Sequence, residues 1–132
     1  MEVMVPSKFQ KFAEKIWNFT PRPDDIWIVT YPKSGQTLTQ EIMWQIVNGI
    51  ELESEQSKKP IMLRSPFLEI SMLLNLPEPP IDTVLDEKTK FLQDSVKWTN
   101  NLKSLRIIKS HLPIAMLPPS ILNTSKVIYV GR

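Results

Sequence analysis

Apolar residues first recur at helical spacing at Phe9, Phe12, Ile16 and Phe19. This predicts an amphipathic helix packed on a core by that face, not an aromatic binding stripe. Ser7 can cap its start, and Gln10 stands where a capping box places its second member. Thr20-Pro21-Arg22-Pro23-Asp24 ends it, because prolines cannot continue a helix. The period then changes. Ile26 to Tyr31 is a continuous apolar and β-branched run, as in a strand buried on both faces. From Gln36 to Asn48 the helical period returns, and Gly49 is its stop signal. Thr37, Glu41, Gln45 and Asn48 form a narrow polar stripe, while Leu38, Ile42, Met43, Trp44, Ile46 and Val47 occupy the rest. A helix this apolar is expected to be largely buried against a sheet.

Further along, Glu51 to Lys59 is polar and reads as a surface loop. Leu68 to Leu76 predicts a short helix closed by Pro77, and Glu78-Pro79-Pro80 is another breaker. Thr89 to Leu102 leans to helix. Leu105 to Lys109 and Val127 to Val130 read as short strands. Between them Pro118 and Pro119 suit the first turn of a short helix through Leu122. Strands separated by helices imply an α/β sheet with parallel neighbours. Ligands of such sheets bind beyond the carboxyl ends of the strands. Tyr31-Pro32-Lys33, Lys109-Ser110-His111 and Gly131-Arg132 all lie at such ends.

Composition narrows the field. With 132 residues the chain holds one domain at most, and 42% hydrophobic content with four Trp and five Phe is ample for a core. Trp44 and Trp98 belong to that core. Sixteen basic and fourteen acidic residues leave a formal charge of +2, too balanced to argue for nucleic acid or an anionic membrane as partner. The absence of cysteine excludes disulfide and thiolate chemistry. No stretch reads as a signal peptide or reaches membrane-spanning length. The expectation is a soluble, cytoplasmic protein.

The segment Tyr31-Pro32-Lys33-Ser34-Gly35-Gln36-Thr37 carries the most chemistry. A strand that breaks at proline and glycine and re-enters a helix aims backbone N–H groups and the positive helix end at one point. It is not a Walker A loop, because Lys33 precedes the glycine. A phosphoryl-transfer or nucleotide-binding P-loop protein stays open as an alternative. Thr37 reads equally as a cap and as a ligand contact, and Ser110 as a turn residue. His111 is the only histidine and follows Ile107-Ile108-Lys109-Ser110. That placement favours a catalytic role over a structural one.

Taken together, Arg22-Pro23-Asp24-Asp25, the Tyr31–Thr37 loop, Ser65-Pro66-Phe67-Leu68-Glu69, Ile107–Pro113 and Lys126–Arg132 resemble the cytosolic sulfotransferase family in the family's own order. The resemblance implies a P-loop-NTPase-like three-layer α/β fold with a parallel sheet. It further implies that residues 1–132 are the N-terminal part of a single such domain, incomplete because the C-terminal half is absent. The implied reaction moves a sulfuryl group from 3′-phosphoadenosine 5′-phosphosulfate (PAPS) to a hydroxyl or amine of a small hydrophobic acceptor, and it requires no metal. Lys33 looks like the lysine acting on the bridging oxygen of the donor. Ser34, Gly35, Gln36, Thr37 and Leu38 look like the loop binding its 5′ side, and Arg132 like the arginine holding its 3′-phosphate. His111 is similar to the general base, Lys109 to the transition-state lysine, and Phe67 to an acceptor-pocket aromatic. The chain departs from the family where Gln36 replaces a threonine and Leu38 replaces a tryptophan that stacks on adenine. An inactive truncated paralogue or fragment is the other alternative.

Overall fold

The first strand, β1 (Ile26–Thr30), is buried at every position and lies in the middle of a three-stranded sheet. Its neighbours are β2 (Ile107–Ser110) on one side and β3 (Lys126–Val130) on the other, both parallel to it. Ile26 is level with Ile107 and with Lys126, so all three strands end at the same edge. The computed structural model describes residues 7–31, 35–49, 53–74, 76, 80 and 82–131. The expected α/β class with parallel strands is the one observed.

Period-two alternation along β1 divides the core. Trp27 and Val29 point to one face and pack with Phe12, Ile16 and Phe19, around α1 (Ser7–Trp17). Ile26 and Ile28 point to the other face and pack with Ile107 and Trp44, which belongs to α2 (Gln36–Asn48). Helices on both faces of a parallel sheet give three layers. The Phe9 side chain, Glu51, Pro77 and Glu78-Pro79 lie outside the described residues.

Glycines set both ends of α2. Gly35 precedes it at φ 85° and Gly49 closes it at φ 77°, donating its N–H to the Gln45 carbonyl at 2.9 Å. Both are left-handed conformations that residues with a Cβ rarely adopt.

Four expectations change. The Leu68–Leu76 segment yields only α4 (Ile70–Leu73), after α3 (Ile61–Arg64), because Phe67 and Leu68 run alongside β2, the Leu68 N–H donating to the Lys109 carbonyl at 2.9 Å. Thr89–Leu102 is two helices, α5 (Glu87–Gln93) and α6 (Ser95–Asn100). Asp94 stops the first and caps the second by accepting the Lys97 N–H at 3.0 Å. Pro118 and Pro119 precede the short α7 (Ile121–Thr124) instead of opening it. Finally, α2 is not largely buried. Leu38, Ile42 and Ile46 are 66%, 48% and 65% exposed, while polar Gln40 is buried. The helix packs over β1 and β2, and the face turned away from them keeps its apolar side chains in water.

Opposite the shared carboxyl edge, the strands start at a buried ion pair. Arg106 binds Asp25 through two parallel hydrogen bonds, at 2.8 and 2.5 Å. Both side chains are fully buried. Asp25 also accepts the Arg22 N–H, and Arg106 donates to the Thr99 and Thr20 carbonyls.

Candidate active site

At the carboxyl edge, His111 follows β2 directly and turns its ring toward the end of β1. Nδ1 lies 3.0 Å from the Thr30 carbonyl oxygen and 3.1 Å from its hydroxyl. A carbonyl can only accept, so a hydrogen on Nδ1 suits this contact, and in the neutral ring it leaves the lone pair on Nε2. That is the tautomer of a general base. The Phe67 ring stands edge-on to the imidazole with centroids 5.1 Å apart. The Lys109 ammonium sits 4.2 Å from the centre of the same Phe67 ring. Phe67, forty-two positions before Lys109, therefore meets both Lys109 and His111.

Their meeting depends on the segment Ser65–Glu69, which lies along β2 as a single parallel bridge between Phe67 and Lys109. Lys109 donates its N–H to the Pro66 carbonyl and accepts the Leu68 N–H, each at 2.9 Å. The Ser65 hydroxyl donates to the Ile107 carbonyl at 2.9 Å. From α2, the Gln40 amide donates to the Ser65 carbonyl and hydroxyl at 3.0 and 2.9 Å. Burying an amide this way is tolerable because its donors are satisfied.

Behind the pair lies Glu69. One carboxyl oxygen accepts the His111 N–H at 2.6 Å, and the Ser110 hydroxyl bonds the same carboxyl. Ser110 in turn accepts the Leu112 N–H at 3.0 Å, which fits the turn role read from the sequence. The second oxygen, Oε2, is buried and has no hydrogen-bond partner among the described residues. Burial pushes the Glu69 carboxyl up to about 7, against the opposing pull of the His111 N–H, the Ser110 hydroxyl and the Lys109 charge. Burial also lowers the Lys109 ammonium from its ordinary value, and the charge of Glu69 works against that. Sequence reasoning singled out neither Glu69 nor Thr30. The available signal was a lone acid inside the apolar run Phe67-Leu68-Glu69-Ile70.

On the other side of the edge, α2 begins without a side-chain cap and without an acidic residue in its first turn. Among the described residues no side chain caps its leading N–H groups, and the positive helix end suits an anionic acceptor. Thr37 and Leu38 lie on that first turn and are exposed, and Gln36 opens it. Lys33, Ser34 and Arg132 lie outside the described residues. A cavity of about 560 Å³ opens at the strand ends between Thr30, Tyr31, His111, Pro113 and Tyr129.

Comparison with known proteins points one way. A family model described as Sulfotransferase domain matches residues 23–132. Sulfotransferase 1E1 of Bos taurus is 38% identical, the match covering 94% of this chain and 37% of that protein. Luciferin sulfotransferase of Photinus pyralis is 31% identical, over 99% of this chain and 35% of the other. Cytosolic sulfotransferase 1 of Danio rerio is 35% identical, over 94% and 36%. This chain thus spans 35 to 37% of the length of these relatives. Among solved structures, retinol dehydratase in complex with retinol and PAP superposes with a TM-score of 0.75 at 28% identity. That match covers 98% of this chain and 42% of the other.

Proposed function

This chain belongs to the sulfotransferase domain family, and from that premise we propose that residues 1–132 form the N-terminal part of one sulfotransferase domain acting with PAPS as donor. The acceptor is a hydroxyl or amine on a small hydrophobic molecule. The names of the relatives support the reaction class. The neighbouring structures, bound to PAP with retinol in one case and with androsterone in another, support the donor and an apolar acceptor. Among the described residues no helix is long and apolar enough to cross a membrane. We assign the chain to the cytoplasm, in keeping with the name of the Danio rerio relative.

One observation carries the reading: His111 is held at Nδ1 by the Thr30 carbonyl, with Phe67 between its ring and the Lys109 ammonium. The acceptor oxygen or nitrogen bonds to the sulfur of the donor as the sulfur–oxygen bond to its 5′-phosphate breaks, and PAP leaves with that oxygen. His111 takes the proton of the acceptor hydroxyl at Nε2. Lys109, half-buried against Phe67, faces charge that builds during transfer. The uncapped start of α2, with Gly35, Gln36, Thr37 and Leu38, suits the 5′ side of the donor. Lys33 and Ser34 belong to the same loop, and Arg132 is assigned to the 3′-phosphate. A second reading, a non-catalytic member, draws support from Leu38, an exposed aliphatic where a stacking aromatic would hold adenine. Losing such a platform costs on the order of 1–3 kcal/mol of nucleotide affinity.

A chimera decides between them. This chain replaces the matching segment of Bos taurus sulfotransferase 1E1, and sulfuryl transfer from PAPS to a phenol is measured. Turnover is expected, and Lys33→Ala or His111→Asn should each lower it by roughly 100-fold or more. A folded chimera without turnover supports the non-catalytic reading. An active chimera indifferent to both substitutions removes these residues from the mechanism.

A further inference from the structure

Glu69 is fully enclosed, sits beneath the two residues assigned to proton transfer and charge stabilisation, and has one oxygen with no hydrogen-bond partner among the described residues. An acid in such a place is costly unless it is paired, hydrogen-bonded or protonated. We propose that Glu69 is the positioning residue of this site, holding the backbone of His111 with one carboxyl oxygen and supplying the counter-charge to Lys109. The proposal rests on the reading of His111 and Lys109 above and deepens it.

The geometry gives it two means of acting. The 2.6 Å bond to the His111 N–H fixes the backbone where the chain leaves β2, and thereby the ring that must reach Thr30. Ser110 bonds the same carboxyl and accepts the Leu112 N–H, so both sides of His111 are tied to one acid. The second means is charge. Lys109 is the charged group on β2 that acts on Glu69. The helices packed on α4 add little. Lys15 of α1 and Asp94, ahead of α6, are paired with each other at 2.9 Å, and Lys88 and Lys90 of α5 are exposed. With burial pushing the carboxyl to about 7, the counter-charge is absent in mild acid and present in mild base. Lys109 is correspondingly a better-held cation on the basic side.

The 132-residue chain itself supplies the first test, by NMR from about pH 5 to about pH 9. The backbone amide of residue 111 and the carboxyl carbon of Glu69 should titrate together, with a midpoint near 7. The amide step should persist in His111→Asn, where no imidazole remains, and vanish in Glu69→Gln. An amide that stops titrating in His111→Asn and still titrates in Glu69→Gln overturns the proposal. The chimera supplies the second test. Glu69→Gln keeps an acceptor oxygen and loses the charge, so kcat should fall about tenfold with the KM for PAPS unchanged. Glu69→Asp should recover part of that loss and Glu69→Ala should deepen it. Unchanged kcat across the three also overturns it. If the chimera is inactive with Glu69 intact, the fault lies with the proposed reaction, and the amide titration alone decides the role of Glu69.

Discussion

Glu69 keeps its proton in the folded chain at pH values where the unfolded chain has lost it. Its carboxyl rises from an ordinary 4.5 to about 7 because burial outweighs its hydrogen bonds. A carboxyl raised on folding gives its full stability below the unfolded value and loses it as pH climbs through the folded one. Between 4.5 and about 7 the folded chain therefore binds more protons than the unfolded chain, and stability falls with rising pH. The loss amounts to about 3 kcal/mol at one pH unit per 1.4 kcal/mol. Glu69→Gln has no such proton, so urea midpoints of the two chains should diverge across this window in favour of the variant. Parallel midpoints would mean that Glu69 is ionised on folding.

Elements are joined here by buried polar pairs as well as by apolar packing. Arg106 enters β2 and Asp25 enters β1, and their two-pronged contact aligns the starts of both strands. That alignment sets the register that brings Thr30 level with the residues after β2 at the far edge. Such a pair is not in itself a large net gain over apolar residues, but half of one is expensive. Arg106→Ala leaves Asp25 buried with only the Arg22 N–H, and should cost about 3–5 kcal/mol in chemical denaturation. Arg64 and Glu41 form a similar two-pronged contact between α3 and α2, over the Trp44 ring. Glu41 is half-exposed, and Arg64→Ala there should cost less than Arg106→Ala.

Over the whole molecule, one helix is out of balance with its surroundings. Leu38, Ile42 and Ile46 follow one another at four-residue spacing along α2, and all are exposed. Among the described residues β3 pairs with one strand, β1, and Tyr129 on it is 63% exposed. A continuous apolar stripe in water favours association over a dispersed monomer. The 132-residue chain should therefore self-associate in sedimentation velocity at micromolar concentration. Replacing Leu38, Ile42 and Ile46 together by glutamine should shift it toward monomer without lowering its unfolding midpoint. A native chain that sediments as a monomer would contradict this.

Local forces decide the features that could be read residue by residue. The unbroken run Ile26–Thr30 could only be an interior strand, because no face of it is polar. The span of α2 followed from its period and from Gly35 and Gly49, whose left-handed φ needs no tertiary contact to be read. The three strand-end motifs converged because parallel strands end at one edge. The tertiary structure alone decided what lies opposite what. Thr89–Leu102 split because the Asp94 side chain serves the second helix better than the first. Leu68 lies beside β2 ahead of α4, its N–H on the Lys109 carbonyl, a partner forty-one positions away that no local window contains. Gln40 went inward because Ser65 was there to receive its amide, and the apolar side of α2 was left outward. Glu69 came to rest under His111 for the same reason: the cost of burying a charge depends on the groups that surround it in space, and those are set by the fold.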